Sequence, residues 1–179
     1  MSAGAALASE GQRLVRNLAA GARLALFLPV RADAFRASPS SFAVLAGFNM
    51  LCWIVAAAVG AGFEGELDPS AFPAYLSSVM LVLATALLAS ILYRQPQDLV
   101  LFAVAISASD LVFELAGLAL PGIAAATGRP GAVFYGYLAW SVLVTLRALL
   151  VCGGRRRPQA WLAFLLVAAV SALAWIWLS

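Results

Sequence analysis

From Ser41 to the last residue, long uninterrupted apolar stretches alternate with short polar or turn-forming connections. About 20 residues at about 1.5 Å each cross a hydrocarbon core of about 30 Å, so each stretch is long enough to span a bilayer as a helix. The pattern predicts five spans, over residues 41–63, 73–93, 98–120, 132–152 and 160–178. Pro96 and Asp98 supply a breaker and a cap ahead of the third span, and Pro121-Gly122 opens the connection behind it. GGRRRPQ, residues 153–159, reads as a tight turn between antiparallel helices. Tyr93 beside Arg94, and Trp161 opposite Trp175 and Trp177, read as interfacial belts.

Residues 1–40 follow a different period. Ser9 with Gln12 three residues later fits a capping box, and a helix over about 9–28 gathers Leu14, Val15, Leu18, Ala22 and Leu26 on one arc. Gln12, Arg13, Arg16 and Arg23 fall on the other. This predicts an amphipathic helix on the membrane surface, with Arg13, Arg16 and Arg23 binding lipid phosphates. Docking onto the protein's own helices or onto a partner is the alternative, because Gly11 and Gly21 weaken an isolated helix. The expected architecture is thus an all-α membrane protein: a cytoplasmic segment 1–40 with an interfacial amphipathic helix, then a five-helix transmembrane bundle 41–179.

Composition agrees. Hydrophobic residues make up 64% and charged residues 11%, against about 45–50% and about 25% in soluble domains. Arg13, Arg16, Arg23, Arg31, Arg36, Arg94 and Arg155 to Arg157 fall on one side of the predicted membrane, and Arg129 alone lies in a connection on the other. By the positive-inside rule the N-terminus is cytoplasmic, while the C-terminus and the acidic connection carrying Glu64, Glu66 and Asp68 are external. The expected location is the bacterial inner membrane. The N-terminal segment lacks the short apolar core and cleavage site of a signal peptide and is expected to be retained. No aromatic-interleaved basic patch points to nucleic acid.

The chain has no histidine and two cysteines, Cys52 and Cys152, neither at metal-ligand spacing from another ligand. Cys-His and Ser-His nucleophiles and the commonest zinc and haem ligands are therefore missing, so neither a cofactor nor a metal is expected. Candidate chemistry is confined to the spans. Asp110 and Glu114 lie one turn apart in the third span, where a charge is costly against lipid. Ala103, Ser107, Asp110, Glu114 and Gly117 share an arc, leaving Val104, Leu111, Val112 and Leu115 for lipid. Ala46, Asn49, Cys52, Ala56 and Gly60 form a second small, weakly polar stripe on the first span, of the kind that lets helices approach closely.

The acid pair fits a proton or cation relay, a hydrogen-bonding device that fixes helix register, or a contact with a cation on another subunit. Arg147 is the candidate counter-ion, although its place near the end of the fourth span favours snorkelling to the interface. Tyr137, Ser141 and Thr145 line a further face of that span and fit either packing or a ligand pocket.

Residues 17–46 and 62–76, NLAAGARLALFLPVRADAFRASPSSFAVLA and GFEGELDPSAFPAYL, resemble the membrane-embedded N-terminal region of bacterial legumain-like peptidase proteins. More distantly, the five-span layout resembles the Yip family of small polytopic membrane proteins. Those peptidases carry a soluble domain with a catalytic histidine and cysteine, which this chain lacks, so no catalytic residue transfers. The resemblance implies a membrane anchor or scaffold. Ranked first is a non-enzymatic accessory or scaffold subunit, in contact with membrane lipids and with another membrane protein or further copies of itself. A transporter or channel component using Asp110 and Glu114 ranks second. An enzyme acting on lipids or membrane peptides comes last, since no Ser/Lys, two-helix Asp/Asp or zinc-ligand set assembles.

Overall fold

A computed structural model describes residues 3–60, 71–154, 158–166 and 169. Within them the chain is helical, without strands: α1 (Ala3–Ala25), α2 (Pro39–Gly60), α3 (Ala71–Leu92), α4 (Leu99–Gly117), α5 (Leu120–Thr127) and α6 (Pro130–Cys152). Residues 158–166 are also helical. Single 3₁₀ turns over Ala32–Ala34 and Pro96–Asp98 lead into α2 and α4. Among the described residues four segments, Pro39–Ala56, Tyr75–Leu92, Pro96–Gly117 and Pro130–Cys152, are long and apolar enough to cross a membrane. The multi-pass membrane character rests on these four. The predicted fifth span enters the described residues over 160–166, and most of the remainder lies outside them. So do Glu64, Glu66, Asp68, Arg155 to Arg157, Trp175 and Trp177.

Helix ends follow local chemistry. Ser38 caps α2, its Oγ accepting from the Ser41 amide at 3.0 Å, and Pro39 occupies the first helical position, where a missing N–H costs nothing. Pro130 opens α6 in the same way. The connection expected over residues 121–131 contains α5 instead, closed by Gly128 in the left-handed region at φ 65°.

α4 is the hub, with α1, α2, α3 and α6 all packed on it. Residues 102–109 are buried without interruption. The expected lipid face of this helix is therefore corrected: Val104 and Leu111 are buried and Val112 is half-buried, and of that set Leu115 alone is exposed. The physical reason is crowding. A helix apolar all round offers every side to neighbours, and α1 takes the side that the polar stripe leaves free.

That placement of α1 differs from a helix lying on the membrane surface. Its buried stripe is Asn17, Ala20, Gly21, Leu24 and Ala25, whereas Val15 and Leu26 of the anticipated apolar arc are exposed. Gly21 lies so close to Ala108 in mid-α4 that a Cβ would overlap its carbonyl. Leu24 and Ala25 pack with Ile106, Phe113, Val144 and Ala148. The chain then turns back: Phe27 takes φ 57°, and the Leu28 amide reaches the Arg23 carbonyl at 2.8 Å while that of Phe27 reaches Leu24 at 3.2 Å. These two bonds form a Schellman closure.

Carbonyls at this helix end also accept from α6. Trp140 Nε1 donates to Ala25 at 2.8 Å, and Arg147 donates to Leu24 at 2.8 Å and to Arg23 and Leu28. The Arg147 guanidinium also stands 5.4 Å from the centre of the Phe27 ring. The returning segment is pinned by Asn17, whose side chain bonds both the amide and the carbonyl of Arg36 at 2.7 and 3.2 Å.

At the arginine-rich end, Tyr93 is buried rather than interfacial. It donates to the Leu149 carbonyl at 3.1 Å and packs 5.5 Å from Phe102, over Gly153, whose missing side chain makes room for its ring.

Gly21→Val should drive α1 off α4 and destabilise the fold by about 1–3 kcal/mol, the usual cost of overpacking. Gly11→Val, which meets open space, should cost far less. Thermal unfolding of both variants in detergent checks this, and equal effects would contradict the docking of α1.

Candidate functional site

Between α2, α3, α4 and α6, with Phe164 at one edge, lies a partly open cavity of about 470 Å³. Each helix contributes its polar face. From α4 come Ser107, Asp110 and Glu114, at a spacing of three and four that keeps them on one side. α2 supplies Ala46 and Asn49, and α6 supplies Tyr137, Ser141 and Thr145, one turn apart from one another. α3 supplies Tyr75, Ser78 and Thr85.

Three stripes recognised separately in the sequence thus converge on one space. The α3 contribution was missed, although Tyr75, Ser78, Val82 and Thr85 follow the same three-and-four spacing and the signal was present. Trp53 was missed as well. Its indole N–H lies within an otherwise apolar turn of α2 and finds its partner across the bundle.

The two acids are held differently. Glu114 accepts a hydrogen bond from Trp53 Nε1 at 3.0 Å, and Trp53 stands 6.3 Å from Tyr75 ring to ring. Asp110 is half-buried on the cavity wall and has no hydrogen-bond or ion-pair partner among the described residues. The ion pairs among those residues are Arg13 with Glu10 at 3.0 Å and Arg31 with Asp33 at 3.7 Å. Arg147, the anticipated counter-ion, is not one: its guanidinium is committed to the carbonyls that close α1. The guanidinium caps α1, whose C-terminal end presents concentrated negative potential.

Asn49 is 8% exposed; its Nδ2 donates to the Ser107 carbonyl at 3.2 Å, and its Oδ1 has no partner. Phe113 forms the floor, 5.9 Å from Tyr137 and 4.4 Å from Trp140 ring to ring. Among the described residues no group of three His, Cys, Asp or Glu side chains stands together to hold a metal ion. Cys52 is half-buried and Cys152 buried, both as free thiols.

Arg16 and Arg23 sit elsewhere, lining a second, open cavity of about 750 Å³ with Arg31, Asp33 and Arg147. Arg16 Nε donates to the Ala34 carbonyl at 3.2 Å, tying α1 to the returning segment, while Arg13 pairs with Glu10 at the surface.

Comparison of the chain with protein-family models, with curated proteins and with solved structures found no match.

A buried amide with an orphaned oxygen contributes little to folding, since replacing it by an apolar group of similar shape removes an unmet polar atom. Asn49→Leu should therefore shift stability by less than about 1 kcal/mol or raise it. A loss above about 2 kcal/mol in thermal unfolding would make Asn49 a packing device instead.

Proposed function

We propose that the chain is a component of a transporter or channel, with its intramembrane cavity as a proton- or cation-binding site. The observation that carries this reading is the Asp110 carboxylate, which lines a cavity between the helices without a partner among the described residues. A register-fixing acid bonds a neighbouring helix, as Glu114 does through Trp53. An acid meant for another subunit points out of the bundle. Asp110 does neither, and an unpaired acid surrounded by protein at membrane depth is a functional feature by default.

The orientation carried by this reading is that of the arginine distribution, with α1 on the cytoplasmic side of a bacterial inner membrane. The accessory or scaffold role that the sequence ranks first, and the anchor role implied by the legumain-like and Yip-like resemblances, leave the unpaired acid without a use.

In proteoliposomes under an imposed potential, proton or sodium flux through the wild-type chain should fall roughly tenfold or more in Asp110→Asn. That fold-change corresponds to about 1.4 kcal/mol or more. The variant should elute from size exclusion as the wild type does. Wild-type vesicles that conduct neither ion, together with a membrane protein that copurifies stoichiometrically, would favour the scaffold subunit instead.

A further inference from the structure

The cavity wall is rich in acceptors and nearly empty of donors. Every hydroxyl on it except that of Ser107 directs its proton to a backbone carbonyl: Tyr75 to Ala46, Ser78 to Tyr75, Thr85 to Leu81, Tyr137 to Phe113, Ser141 to Leu138 and Thr145 to Ser141. The Asn49 amide N–H is committed to Ser107, and the Trp53 N–H to Glu114. What faces the space is lone pairs: hydroxyl oxygens and two carboxyl groups. A buried acceptor without a donor costs about 1–3 kcal/mol, so the wall favours an occupant that brings donors and positive charge.

Size narrows the class. A bare proton or alkali ion fills a small part of about 470 Å³, which lies within the range of about 300–1,000 Å³ typical of small-molecule sites. The rest of the wall is apolar, from Phe42, Val79, Val82, Ile106, Phe113 and Leu138. A trimethylated ammonium brings charge without donors and would leave the Asp110 carboxylate without a hydrogen bond. A neutral alcohol brings one donor without charge.

We propose that the cavity binds a primary organic ammonium ion, its N–H groups shared between Asp110 and the hydroxyl oxygens of the same wall and its carbon body held against the apolar side chains. This rests on the cation-site reading above and names its ligand class. Glu114, already bonded to Trp53, sits one turn further along α4 and adds a second, more distant attraction.

The test is calorimetric titration of the full chain in lipid nanodiscs, with empty nanodiscs subtracted. The probes are benzylammonium, benzyltrimethylammonium, benzyl alcohol and sodium, all as single solutes. Benzylammonium should bind at about one per chain and roughly tenfold or more tighter than the other three. Asp110→Asn should weaken it roughly tenfold or more, with the variant eluting as the wild type does. Equal binding of benzyl alcohol or of the trimethylated ion overturns the proposal, because the pocket would then read shape alone. Equal binding of sodium overturns it in favour of an inorganic cation. If ion flux depends on Asp110 while benzylammonium fails to bind, this inference falls and the cation site stands; absence of both removes the two together.

Discussion

Inside a bilayer a polar group has no water to turn to, and every donor and acceptor must find its partner within the protein or keep a space for one. α4 carries the chain's two intramembrane acids, and the bundle is arranged around that fact. Four helices cover it, so neither Asp110 nor Glu114 has to face acyl chains. Hydrogen bonding also organises the arginine-rich end, where α1 runs in against mid-α4, reverses at Phe27 and presents its last carbonyls to α6. Arg147 and Trp140 from α6 are the groups that meet them. An arginine that looked free to pair with an acid is thereby occupied, and Asp110 is left alone.

Two kinds of polar residue can be told apart on this basis. Asn17, Tyr93, Trp140 and Arg147 are fully engaged, each bonded to backbone on another segment, and they fix how α1, α3 and α6 sit. Asp110 is not engaged and lies on a cavity wall, whereas Asn49 Oδ1 is unmet but sealed within the packing. Ser78, Thr85, Ser141 and Thr145 on the same wall bond carbonyls of their own helices, and Tyr75 and Tyr137 bond carbonyls of neighbouring ones, which leaves oxygen lone pairs facing inward. Rigidity comes from the first set and binding capacity from Asp110 and this wall.

Much of this was legible in the sequence. Hydropathy marks the four described spans to within a few residues, and the acid stripe of α4, the Asn49 stripe of α2 and the Tyr137–Thr145 line of α6 are read directly from helical spacing. Their convergence was not legible, because three stripes on three helices can each face any neighbour. The surroundings of α4 were also hidden: a helix apolar on its remaining sides gives no cue that Val104 and Leu111 touch protein rather than lipid. α1 misled for a related reason. Its leucines and arginines separate cleanly on a wheel, yet the docking face is chosen by Gly21, Ala20 and Asn17, where small size and a bidentate amide decide the fit.

The central claim is that the α4 stripe faces a cavity between the helices while Leu115 faces lipid. In a background carrying Cys52→Ala and Cys152→Ala, reaction of a small cationic thiosulfonate with Ser107→Cys and with Leu115→Cys, each in liposomes, tests it most directly. Modification of Ser107→Cys, slowed by benzylammonium, with Leu115→Cys left unmodified is the predicted result. Modification of Leu115→Cys alone, or of both at the same rate, would contradict it.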